Sequence, residues 1–179
     1  TAHMKTEAKD TKPYHHGNLR ESLLAAARRL LETEGNSNLS LRKCAQAAGV
    51  SATAPQNHFA NKEALLTALA AQGYAELETY MKRGVKETAD RGARRQAALL
   101  GYVAFAQELP ALYELMFARD RVSSSDPDLL RHVGACFVIL ADLSKDFGRY
   151  HGDAAKVEAK RQMFVWSLVH GYAQLLTAD

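Results

Sequence analysis

Leucines and alanines recur every three or four residues along most of the chain, starting with Leu19, Leu23, Ala27, Leu30 and Leu31. That interval puts them on one face of an α-helix, and nowhere does the strict alternation of a half-buried strand replace it. Asn18 followed by Glu21 reads as a capping-box-like start for this first helix, with Gly35 as its stop. Ser40 caps a second helix in which Leu41, Cys44, Ala45 and Ala48 share a face while Arg42, Lys43 and Gln46 point outward, and Gly49 ends it. A third short helix is expected from Ser51, with Pro55 in its first turn, where the missing N–H costs only a bond to the Ser51 carbonyl. Pro55 and Phe59, four apart, then point inward. Asn61 caps a longer helix from Lys62 past Tyr80, fading near Asp90-Arg91-Gly92, and further helices are expected over 94–108, 110–118, 126–150 and 154–177. The segments 121–128 and 151–154 read as turns. The predicted fold class is all-α: an N-terminal three-helix unit over 18–62 and a C-terminal helical bundle over 63–179. Residues 1–17 are read as a tag remnant, TAHM, and a basic arm.

Composition narrows the class without choosing a function. With 179 residues, 47% hydrophobic and 24% charged, the chain is an ordinary globular one. It has no apolar run long enough for a membrane span and no secretory leader pattern, so a cytoplasmic protein is expected. Cys44 and Cys136 are too far apart for a close-spaced ligand set and are expected to be buried thiols. No metal or cofactor is expected: His15, His16 and the other histidines lack ligand spacing, and Asp126 and Asp128 fit a helix start. The sequence patterns of nucleotide-binding, serine-hydrolase and zinc-protease sites are missing, so no catalytic residue is assigned.

Charge changes the picture more. The net charge of +3 is unevenly spread, because residues 1–62 carry nine Lys and Arg against five acids. Two short helices joined through a glycine turn, with this basic bias, have the form of a helix-turn-helix DNA reader. Such a reader must enter a major groove about 12 Å wide and present small or hydrogen-bonding groups to base edges. Ser51, Ala52, Thr53, Gln56 and Asn57 meet that requirement, and Arg42, Lys43, His58 and Lys62 are suited to phosphates. The same spacing also fits a packed helical hairpin with a solvated polar face.

The stretch 19–66 resembles the tetracycline repressor (TetR/AcrR) family of transcription factors. The resemblance rests on Arg42, Ala45, Ala48-Gly49-Val50-Ser51, His58-Phe59 and Lys62-Glu63-Ala64-Leu65-Leu66. It implies that Arg42, Lys43, Thr53, Gln56, Asn57, His58 and Lys62 face DNA. Gln56 departs from the family pattern, which carries tyrosine there. The segment 166–176, WSLVHGYAQLL, is similar to a Trp-x-x-x-His-Gly signature found in one branch of that family's regulatory domains.

The C-terminal helices carry apolar residues on two sides. Over 126–150, Leu130, Val133, Phe137, Leu140 and Phe147 form one stripe and Ile139 and Leu143 another, and Phe164, Leu168, Gly171 and Leu175 do likewise against Met163, Trp166 and His170; Val133, Phe137, Leu140, Phe164, Leu168, Gly171 and Leu175 are the expected homodimer interface, since a helix apolar on two sides needs two partners. The family resemblance implies the same pairing of the last two helices. A mostly apolar or aromatic effector is expected between the long helix and those that follow, against Phe105, Tyr113, Met116, Phe117, His132, Trp166 and His170. Trp166 and His170, four apart, fit core packing as well as a ligand wall. The reading is a ligand-responsive homodimeric repressor released from a palindromic operator. The alternatives are an activator of the same fold and a helical ligand-binding protein without operator binding.

Overall fold

The computed structural model describes residues 19–86, 90–145, 147–149 and 151–177. Within them the chain forms seven α-helices: α1 (Leu19–Glu34), α2 (Leu41–Ala47), α3 (Lys62–Lys82), α4 (Arg91–Glu108), α5 (Pro110–Met116), α6 (Pro127–Ser144) and α7 (Ala154–Thr177). Two 3-10 turns, Asn36–Asn38 and Ala54–Asn57, complete the regular structure, and no strand occurs among the described residues. The basic arm before Asn18, the Asn18 cap itself and Tyr150 lie outside the described residues.

Five helices begin on side-chain caps, each supplying an acceptor for an otherwise orphaned N–H, α7 doing so through Asp153, which accepts from Lys156 at 3.2 Å. Ser40 accepts from Lys43, Asn61 from Ala64, Asp90 from Ala93 and Asp126 from Leu129. α2 closes at Gly49, whose φ of 70° suits a residue without Cβ. There Gly49 N–H donates to Gln46 and Val50 N–H to Ala45, the paired bonds of a Schellman stop.

α3 is the axis of the molecule. It packs against α4, α5 and α6, and its base meets α1. α7 lies across α4 and α6, and one hydrophobic core runs from Leu23 in α1 to Ala173 in α7. α3 and α4 approach so closely that a Cβ on Gly101 would stand 2.1 Å from the Tyr80 carbonyl oxygen. Arg28 of α1 reaches Glu76 of α3 at 3.0 Å, and Cys44 and Cys136 are buried free thiols.

Three elements differ from the sequence pattern. α3 ends at Lys82, short of the expected fade near 90–92, where Asp90 instead caps the start of α4 at Arg91. α6 stops at Ser144 instead of running towards 150, because Arg95 of α4 donates Nε to the Leu143 carbonyl at 2.7 Å and Nη2 to that of Lys145 at 3.2 Å. A distant side chain thereby satisfies carbonyls that a longer helix would have used. The segment after Ser51 is a bend leading into a single 3-10 turn, not an α-helix. Proline disfavours the α conformation in the residue before it, and here both His58 and Phe59 N–H converge on the Pro55 carbonyl at 2.9 Å, closing the turn. No helix among the described residues is long and apolar enough to cross a membrane.

Candidate nucleic-acid interface and ligand cleft

The α2 helix and the Ala54–Asn57 turn form a small head against α1. Cys44, Ala45, Pro55 and Phe59 are buried beneath it, so the proline fills the inward slot that its spacing from Phe59 requires. Its neighbours Ser51, Ala52, Thr53, Gln56, Asn57 and His58 are all exposed, as are Arg42 and Lys43 on α2. These eight side chains crown one protruding segment. Arg20 of α1 lies over the Phe59 ring at 5.4 Å, adding a cation to the rim.

Two of the expected phosphate contacts are already engaged. Lys43 pairs with Glu34 at 2.9 Å, an exposed bridge of the weak kind that a phosphate can replace. Lys62 is different: it is half-buried, and its ammonium donates to the Asn36 carbonyl at 3.0 Å. In this structure it ties the start of α3 to the turn after α1. The ammonium folds back onto the half-buried Asn36 at the edge of a polar cleft.

In the body, a cleft of about 370 Å³ opens between α3, the end of α5 and α6. Tyr74, Met116, Phe117, Val122, Leu129, Val133, Phe137 and Trp166 make it apolar, with Leu130, Arg119 and Ser124 completing its lining. Of the expected effector residues, Met116, Phe117 and Trp166 line this cleft. Phe105 and Tyr113 are fully buried behind it, and His132 stands off near Arg131 (3.1 Å) and Asp128 (3.9 Å). His132, in the second turn of α6, is not part of this cleft's lining. His170 faces inward: its Nδ1 lies 2.7 Å from the Tyr113 hydroxyl and 3.1 Å from that of Tyr102, and its ring stacks on Trp166. Burial holds the His170 imidazole below its ordinary range and pushes the Tyr102 and Tyr113 hydroxyls up, so all three are neutral at pH 7. Tyr74, Tyr102 and Arg119 were missed by the spacing argument. A tyrosine three residues before a buried phenylalanine, as Tyr102 stands to Phe105, was the available signal for one of them.

Two family models match the chain: bacterial regulatory proteins of the tetR family over residues 23–69, and the tetracyclin repressor-like C-terminal domain over 95–179. The chain belongs to the tetR family. Among solved structures, a protein with unknown function from Rhodococcus sp. RHA1 is 34% identical, with a TM-score of 0.75 over 93% of this chain and 86% of that one. A possible TetR family transcriptional regulator from Streptomyces coelicolor A3(2) is 22% identical (TM-score 0.61), over 88% of this chain and 69% of that one. The regulator FadR from Bacillus subtilis, in complex with stearoyl-CoA, shares the fold at 15% identity and a TM-score of 0.62, over 89% of each chain. No curated protein matches the chain in sequence.

Among the described residues, this tetR-family chain leaves apolar side chains exposed on α6 and α7. On α7, Phe164 (47% exposed), Leu168 (58%), Gly171 and Leu175 (79%) form a stripe, and on α6 Gly134 and Val138 (71%) are exposed, while Leu130 is exposed at the edge of the cleft. The expected α6 stripe of Val133, Phe137 and Leu140 faces the other way. Leu140 is buried, and Phe137 packs on Trp166 with ring centroids 5.8 Å apart. Spacing identified a stripe on α6 but not its direction, and the structure corrects these three residues to the interior. A Cβ on Gly171 or Gly134 would meet nothing within 4 Å, so neither glycine serves a crossing inside this chain.

Proposed function

We propose that this tetR-family member is a homodimeric transcriptional repressor, whose head reads a palindromic operator and whose cleft takes an apolar effector that releases the DNA. The single observation that carries the reading is the exposed set Arg42, Lys43, Ser51, Ala52, Thr53, Gln56, Asn57 and His58, presented together on a head anchored by buried Pro55 and Phe59. Small and amide-bearing groups at the centre suit base edges, and the cations at the rim suit phosphates. The exposed stripes of α6 and α7 supply the surface for a second copy, and family membership supports regulation over catalysis.

The loop after α5 supplies the link between cleft and head. Its residues Phe117, Arg119, Val122 and Ser124 line the cleft, while Asp120 and Arg121 face a separate polar cleft beside Asn36, Lys62 and Glu63. Between them Ser123 N–H donates to Thr67 Oγ1 at 3.0 Å, and that hydroxyl donates to the Glu63 carbonyl at 2.8 Å. A ligand that shifts the loop thereby pulls on the first turns of α3, directly behind the head. A bias of about 1–3 kcal/mol between the two tilts weakens DNA binding by about 5- to 150-fold.

The test is selection of genomic fragments by the purified protein, followed by salt titration of the best fragment. A palindrome with half-sites about one helical turn apart, bound more weakly as salt rises, is the expected result. Selection of no fragment defeats the reading.

A further inference from the structure

We infer that the effector is a monoanion, an alkyl or arylalkyl carboxylate whose tail fills the cleft and whose head group meets Arg119. The inference rests on the cleft being the effector site. Three observations carry it. The cleft wall is apolar from Tyr74 to Trp166, no carboxylate lines it, and Arg119 is the cation that does. Arg119 makes no ion pair among the described residues. The neighbouring acid does not compensate it, because Asp120 pairs with Arg121 at 3.4 Å and both line the polar cleft on the other side of the loop.

The backbone holds this arrangement, with Arg119 N–H donating to the Phe117 carbonyl at 3.0 Å just after α5 ends. Ser124 stands in the same lining, and its hydroxyl has no protein partner among the described residues, since Ser123 and Ser125 bond to each other at 3.2 Å. A guanidinium and a hydroxyl suit the two oxygens of a carboxylate. One cation matches one charge, so a dianionic phosphate gains no second partner here. The anchor also sits on the loop bonded to Thr67, so the charged end of the ligand acts on the connection to the head.

Trp166 lines the cleft and is the single tryptophan, so its fluorescence reports occupancy. Octanoate and 4-phenylbutyrate are titrated against their primary amides, which keep the skeleton and lose the charge. In the wild type each acid is expected to bind at least about tenfold more tightly than its amide. In Arg119→Gln that preference collapses towards parity while the amides keep their affinity. Val133→Phe, which fills the cleft, abolishes the signal of both. Equal binding of acid and amide to the wild type overturns the charge inference and leaves the cleft standing. An acid preference that survives Arg119→Gln overturns the role of Arg119. If neither acids nor amides perturb Trp166, the cleft reading itself falls, and the inference with it.

Discussion

Lys62 Nζ donates to the Asn36 carbonyl at 3.0 Å, so the first residue of α3 holds the turn that follows α1. A residue whose type and position suit a phosphate contact is thus committed to the seam between head and body. Lys62→Ala is expected to cost about 0.5–1.5 kcal/mol of folding stability in urea titration. It should leave the salt dependence of DNA binding unchanged, whereas Arg42→Ala, which removes an exposed cation, lowers the slope of log affinity against log salt by about 1. A reduced slope for Lys62→Ala returns this residue to the phosphate contacts.

Thr67 is buried and carries the bond from Ser123, so Thr67→Val removes the acceptor while keeping the shape. The variant is expected to bind cleft ligands with wild-type affinity, read at Trp166. The ligand then no longer weakens DNA binding, read by fluorescence anisotropy of labelled operator. Undiminished coupling in Thr67→Val shows that the signal runs by another route.

The exposed α7 stripe is expected to hold a second copy. Leu168→Glu should give a monomer by analytical ultracentrifugation, with helical circular dichroism retained, because the side chain is exposed in the single chain. Gly171→Ala discriminates more finely. Within one chain its methyl meets nothing, and it adds up to about 1 kcal/mol of helix propensity. A weakened dimer despite that gain places a neighbouring helix against Gly171, and an unweakened one places the interface elsewhere on the stripe.

Burial lowers the His170 pKa below its ordinary 6.5, so the folded protein refuses a proton that the unfolded chain accepts. His170 therefore contributes a stability loss as pH falls from about 6.5 towards its folded value, and no further change below that value. Urea titrations at pH 7.5 and 5.5 are expected to show a larger loss in the wild type than in His170→Asn. Equal losses mean that the imidazole between Tyr102 and Tyr113 takes up its proton in place.

Local signals settled much of this protein before any packing was known. The caps at Ser40 and Asn61, the glycine stop at residue 49, the inward Pro55 and Phe59, and the span Ala154–Thr177 all follow from interactions within a few residues, which the chain writes in order. The exposed set proposed to read DNA was legible as an exposed set for the same reason, because its neighbours in sequence are its neighbours in space. What needed the tertiary structure is whatever one helix does to another. Periodicity fixes that α6 has a stripe, but only packing against α3 and α7 turns Val133, Phe137 and Leu140 inward and leaves Val138 outside. The end of α6 depends on Arg95, 48 residues from the carbonyl it satisfies. The cleft gathers Tyr74, Arg119 and Phe137 from segments with no common pattern, and Lys62 is diverted by a carbonyl 26 residues away. Sequence spacing carries angles around one axis; which axis lies alongside is decided by how the whole core closes.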